Sequence, residues 1–106
     1  MVSKLVRDRV PEIMRSAGLS PRTRVVPKEE RLSWLLVKLR EETDEVIDNP
    51  CLEECADVLE VVLAIAGELG YVETQLRKLA AQKVEQRGGF SGGILLETGR
   101  DLNDRD

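Results

Sequence analysis

Glu42 and Glu45 stand three residues apart, and so do Glu54 and Asp57. On a helix that spacing puts two side chains on one face, so each pair aims its carboxylates the same way. Between the pairs lies Asp48-Asn49-Pro50, which reads as a break because proline disfavours helix in the residue before it. A turn at this break folds the flanking helices into an antiparallel hairpin and lets the pairs face each other. Four carboxylates brought together repel, and a hard divalent cation with oxygen ligands is the natural counter-charge. Mg²⁺ takes only one or two carboxylates and completes its shell with water and phosphate oxygens; Mn²⁺ suits the same donors. The pattern therefore fits one or more such ions carrying a phosphorylated ligand. Glu-x-x-Glu is also common on solvated helix faces. What distinguishes it here is its repetition across one turn, beside strongly apolar faces.

The elements that must hold these residues are legible from periodicity. Over residues 28–48, Leu32, Leu35, Leu36, Leu39, Val46 and Ile47 form one stripe of a 3.6-residue period, with Thr43 filling the remaining place. Glu42 borders that stripe, while Glu41, Asp44 and Asp48 point further outward. Residues 52–69 predict a second helix, apolar around most of its circumference and so central in its bundle. Its Glu53, Glu54, Asp57, Glu60 and Glu68 share one arc, which is either a solvated side or the wall of a cleft. Glu54, at the edge of the arc beside Val58 and Val61, is expected to be partly buried.

Upstream, residues 1–9 form a basic, partly apolar lead-in. Pro11 suits the first turn of a short helix that runs to about residue 17 and stops at Gly18. Pro21 and Pro27 make 19–27 an extended crossing. Downstream, Gly70 ends the central helix, and a last helix over about 72–86 places Leu76, Leu79, Ala80 and Lys83 on one face. Arg87-Gly-Gly-Phe90 breaks it, residues 94–97 read as a short extended piece, and 98–106 as a frayed polar tail.

The chain has 106 residues, the size of one domain whose core gains from oligomerisation. The net charge of −4, with both signs interspersed, disfavours duplex nucleic acid as a partner. No apolar run reaches the roughly 18 residues of a membrane span, and the start lacks a signal-peptide core, so the expected location is cytoplasmic. The absence of histidine removes histidine-activated nucleophiles, histidine bases and the Glu-x-x-His di-iron pattern. Cys51 and Cys55 lack the second pair of a zinc site and read as reduced thiols, with Cys55 in the core.

Glu-x-x-Glu on one helix and Glu-x-x-Asp on the next resembles the mark of the MazG-like all-α nucleoside triphosphate pyrophosphohydrolases. It falls within Lys38-Leu-Arg-Glu-Glu-Thr-Asp-Glu45 and Glu53-Glu-Cys-Ala-Asp-Val-Leu-Glu60. Two further blocks, Lys4-Leu-Val-Arg-Asp-Arg-Val-Pro-Glu-Ile13 and Lys83-Val-Glu-Gln-Arg-Gly-Gly-Phe90, look like the branch described as phosphoribosyl-ATP pyrophosphohydrolase-like, or house-cleaning. The resemblance covers about residues 3–97. It implies an all-α, antiparallel, oligomeric helical bundle. It also implies Mg²⁺-dependent cleavage of a nucleoside triphosphate between the α and β phosphates, giving a monophosphate and pyrophosphate. Glu42, Glu45, Glu54 and Asp57 would hold the metal. Metal ions screen phosphate charge and lower the pKa of a bound water, so no histidine is needed. Glu41 and Glu45 are both candidates for taking the remaining proton.

Triphosphate also calls for cations. Lys83 and Arg87 lie four apart on one face ahead of a glycine pair, and Lys4, Arg7 and Arg9 form a second basic cluster. Each of these is otherwise a solvated surface charge. Trp34 is either core packing or a base-stacking partner. Two other readings compete. One is phosphoribosyl-ATP pyrophosphohydrolase itself, with the same chemistry on another substrate. The other is a non-catalytic module whose acidic face binds a basic partner.

Overall fold

Proline and glycine set the helix ends. The structure, a computed structural model, describes residues 2–97. Helix α1 (Val10–Ser16) carries Pro11 in its first turn, where a missing N–H removes no helical bond. It closes at Gly18, whose φ is +85°. There the Gly18 N–H donates to the Arg15 carbonyl and the Leu19 N–H to the Met14 carbonyl, both at 3.0 Å, a Schellman closure. Residues 19–27 contain no helix or strand.

A 3₁₀ turn, Lys28–Glu30, leads into α2 (Arg31–Asp48). Periodicity alone predicts one continuous helix from residue 28. The first turn is tightened instead, as is frequent where N–H groups have no intrahelical acceptor. After a connection of residues 49–51 comes α3 (Leu52–Glu68), closed at Gly70 with φ +94° and a Tyr71 N–H bond to the Ala66 carbonyl at 2.9 Å. Helix α4 (Glu73–Arg87) starts where the Gln75 side-chain oxygen accepts from the Val72 N–H at 2.8 Å. Among the described residues every regular element is helical, and 94–97 form no strand. The tail expected over 98–106 lies outside the described residues. No described helix is long and apolar enough to cross a membrane.

Packing centres on α2 against α3, with a smaller contact of α3 on α4 and none of α4 on α2. Thr43, Val46, Ile47, Cys55 and Val58 line a groove of about 250 Å³, so the end of α2 lies beside the start of α3. At the other end Lys28, Glu29, Leu32 and Glu68 line a second groove, of about 350 Å³. Within one chain the core is small. Val61 and Ala66 are its buried apolar residues, and no described side chain is fully enclosed. Helix α3 is the most buried helix, but Cys55 and Ala56 are exposed and Leu59 is 45% exposed. The expected place of Cys55 in the core is therefore corrected: one full-length neighbour and part of another cover only a portion of the circumference of α3. The radius of gyration, 17.8 Å, exceeds the value of about 13 Å typical of a compact domain this long.

The two glycines at the end of α3 behave oppositely. A Cβ on either meets nothing within 4 Å, so backbone conformation alone decides the effect. Gly70→Ala should destabilise by about 1–2 kcal/mol, the strain of a left-handed L-residue. Helical Gly67→Ala should stabilise by about 0.5–1 kcal/mol. Denaturant unfolding of the two variants measures both.

Candidate metal centre

Helix α2 supplies Glu42, and the first two turns of α3 supply Glu54 and Asp57. One carboxylate oxygen from each lies within 4.8 Å of the others. Glu42 is the buried charged residue of the described chain, 9% exposed, because its place beside the apolar stripe of α2 turns it against α3. Glu54 and Asp57 are half-buried. Of the four acids expected to meet, three do. Glu45 is exposed and outside this triad, yet close enough for its charge to act on Glu54.

A buried carboxylate needs a counter-charge, and Lys38 provides it from one turn earlier on the same helix. Its Nζ lies 3.1 Å from Glu42 Oε1 and 3.3 Å from Glu41 Oε2, with the Lys38 and Glu42 side chains only 13% and 12% exposed. Apolar periodicity does not mark Lys38 as a site residue. The signal was present in the i,i+3 and i,i+4 spacing of Lys38 to Glu41 and Glu42. The same lysine corrects the outward placing of Glu41, which is half-buried and drawn in by Lys38. Asp44 and Asp48 are exposed, as expected.

The lead-in crosses the same acidic surface. Arg7 donates from Nη2 to Asp57 Oδ1 at 2.7 Å, and Lys4 Nζ lies 2.9 Å from Glu41 Oε1. Both cations thus stand on the carboxylates. Arg9 pairs with Glu12 at 3.5 Å, within its own segment. Lys83 and Arg87 are exposed on the last two turns of α4, a helix with no contact to the Glu42-bearing α2. Trp34 is half-buried and shares the face of Lys38 and Glu41 at about 100° per residue.

Electrostatics separates the acids. For Glu41, burial pushes the carboxyl up, but hydrogen bonds from Lys4 and Lys38 and their charges outweigh it, and the net direction is down from 4.5. Lys4 is raised correspondingly by its hydrogen bond to Glu41 and that carboxylate's charge. Glu54 moves the other way: loss of solvation raises it, and the charges of Asp57, Glu45 and Glu42 add to the rise. Among the described residues no cation sits on Glu54. Three hard oxygen donors from two helices, one of them repelled by its neighbours, form a donor set suited to a divalent cation. Compared with known proteins, the chain matches no family model, no curated protein and no solved structure.

The ion pairs make the acids unequal. Glu42→Gln weakens a nearly buried charged pair and should lower stability by about 1.5–3 kcal/mol. Glu54→Gln removes an unpaired, repelled charge and should raise the melting temperature at neutral pH. A carboxyl raised in the folded state favours folding when protonated. The advantage of Glu54→Gln is therefore present above the folded pKa of Glu54, shrinks as pH falls toward 4.5, and is absent below it. Melting curves of wild type and both variants between pH 4 and pH 8 read these differences.

Proposed function

We propose that this chain is a Mg²⁺-dependent nucleotide pyrophosphohydrolase, cleaving a nucleoside triphosphate between the α and β phosphates to a monophosphate and pyrophosphate, with non-standard nucleotides as its substrates. The observation that carries the reading is the convergence of Glu42, Glu54 and Asp57 from two helices within 4.8 Å. A metal held there supplies charge screening for the phosphates and acidifies a bound water. The chain's own residues divide the remaining work. Lys38 pairs with Glu42 and orients it. Glu45, exposed beside the cluster, is the better placed proton acceptor of the two candidates, because Lys4 and Lys38 already occupy the carboxylate of Glu41. Arg7, Lys83 and Arg87 are the phosphate-binding cations, and Trp34 offers a face to the base.

The reading includes self-association of an antiparallel helical bundle. Leu36 and Val37 of α2 are 50% and 61% exposed, Leu59 of α3 and Leu79 of α4 are similarly open, and the chain is extended for its length. A standard interface hides about 800 Å² per partner, which faces of this kind supply. Light scattering should give at least twice the 11.9 kDa chain mass at micromolar concentration.

The deciding experiment incubates the protein with ordinary, deoxy and modified nucleotides and with phosphoribosyl-ATP, assaying pyrophosphate with and without Mg²⁺ or Mn²⁺. Metal-dependent release from a nucleotide is expected. No release from any substrate would sink the enzyme reading in favour of an acidic binding module. Exclusive turnover of phosphoribosyl-ATP would move it to that substrate. On the substrate found, Glu45→Gln should lower kcat by about 10²-fold or more while retaining most of the Mg²⁺-induced rise in melting temperature. Glu41→Gln should stay within about tenfold of wild type, since acid–base catalysis is assigned elsewhere.

A further inference from the structure

The cations around the acidic cluster are of two kinds. Lys38 is nearly buried, sits on the same helix as Glu41 and Glu42 and touches both. Arg7 reaches Asp57 from fifty residues away, from a segment without helix or strand, and the pair is open to solvent, with side chains 55% and 33% exposed. Such exposed pairs are weak and easily screened. A guanidinium placed there also opposes entry of another cation into the cluster, since like charges at short range repel.

We propose that the lead-in, residues 2–9, is an exchangeable strap. Arg7 holds Asp57 while the cluster is free of metal and leaves it when a divalent cation binds among Glu42, Glu54 and Asp57. The freed guanidinium is then available to the phosphate oxygens of the ligand. This rests on the metal reading above. Three observations carry it. Asp57 belongs to both the triad and the Arg7 pair, so the two cations compete for one carboxylate. The second anchor of the strap, Lys4 on Glu41, is also solvent-exposed, the lysine side chain being 60% exposed, so neither tie locks the segment. Glu54 has no cation paired with it among the described residues, so an incoming ion meets no competitor there. Arginine suits the second half of the exchange, because its planar fork pairs with phosphate as well as with carboxylate. The lead-in therefore keeps the acids compensated until metal arrives, and delivers a phosphate-binding group at the moment the metal is in place.

Mn²⁺ binding followed by calorimetry, with no nucleotide present, tests the exchange in wild type, Arg7→Ala, Arg7→Lys and Arg9→Ala. Arg9 carries the same charge on the same segment but pairs with Glu12, away from the cluster. Arg7→Ala should bind Mn²⁺ about fivefold more tightly, the release of one exposed ion pair. Arg7→Lys should stay near wild type, and Arg9→Ala within about twofold, as expected for a screened surface charge. In a Mg²⁺ titration of ¹⁵N-labelled protein, the Arg7 side-chain signal should move in step with saturation while that of Arg9 stays. Unchanged or weaker binding by Arg7→Ala, equal tightening by Arg9→Ala, or an Arg7 signal that stays still at saturation overturns the strap and leaves the metal site standing. Wild type that binds no Mn²⁺ overturns both.

Discussion

Burying Glu42 between α2 and α3 is the constraint on which the rest of the structure turns. A carboxylate taken out of water is strongly unfavourable unless a cation goes with it. Lys38, four residues earlier on the same helix, goes with it at 3.1 Å. Once that pair is seated, the packing of α2 on α3 brings Glu54 and Asp57 to the same place. Helix packing and charge compensation are thus coupled: the same contact that half-buries Leu32, Leu35, Leu39 and Val46 of α2, leaving Leu36 and Ile47 of the stripe exposed, brings the acidic cluster together. The cluster is compensated unevenly, by a built-in lysine at Glu42, by an exposed arginine at Asp57, and by nothing among the described residues at Glu54. That unevenness is the chemical opportunity a divalent cation would fill.

Adjacent acids on α2 acquire different characters from this arrangement. Glu41 lies between two ammonium groups and is held in its charged form. Glu45, one turn later, is solvent-facing and outside those pairs. Two glutamates of the same chemistry are thereby set apart by their neighbours alone, the usual way in which carboxylates in one site take distinct roles. In the proposed reaction this division assigns electrostatic support to Glu41 and proton transfer to Glu45.

The helices are joined economically and covered incompletely. Schellman closures at Gly18 and Gly70 end α1 and α3 sharply, so the turns use few residues. The buried apolar core among the described residues, Val61 and Ala66, is slight for three long helices. Isolated helices of this length are marginal in water and depend on packing of an apolar face. The exposed leucines and valines on α2, α3 and α4 are the surface through which the proposed assembly would complete that packing.

Much of this was readable in the chain. The apolar period over 28–48, the long apolar run after Pro50 and the glycines at 18 and 70 placed the four described helices to within one or two residues, apart from the start of α2, which lies three residues later because its first turn is 3₁₀; these signals are local. The pairing of acids across the turn was likewise visible as a repeated spacing. Other features depended on contacts distant in sequence. Which three of the four acids meet depends on how α2 sits on α3. That Glu41 faces inward depends on Lys4 and Lys38. That Arg7 stands on Asp57 depends on the path of a lead-in with no periodicity of its own. Cys55 read as core because its helix is apolar nearly all round, and is exposed because too little of the chain packs on that side. Helix type and ends follow from backbone sterics and neighbours within a few residues; charge compensation and burial are set by whatever segment folds back onto the helix, which no local pattern records.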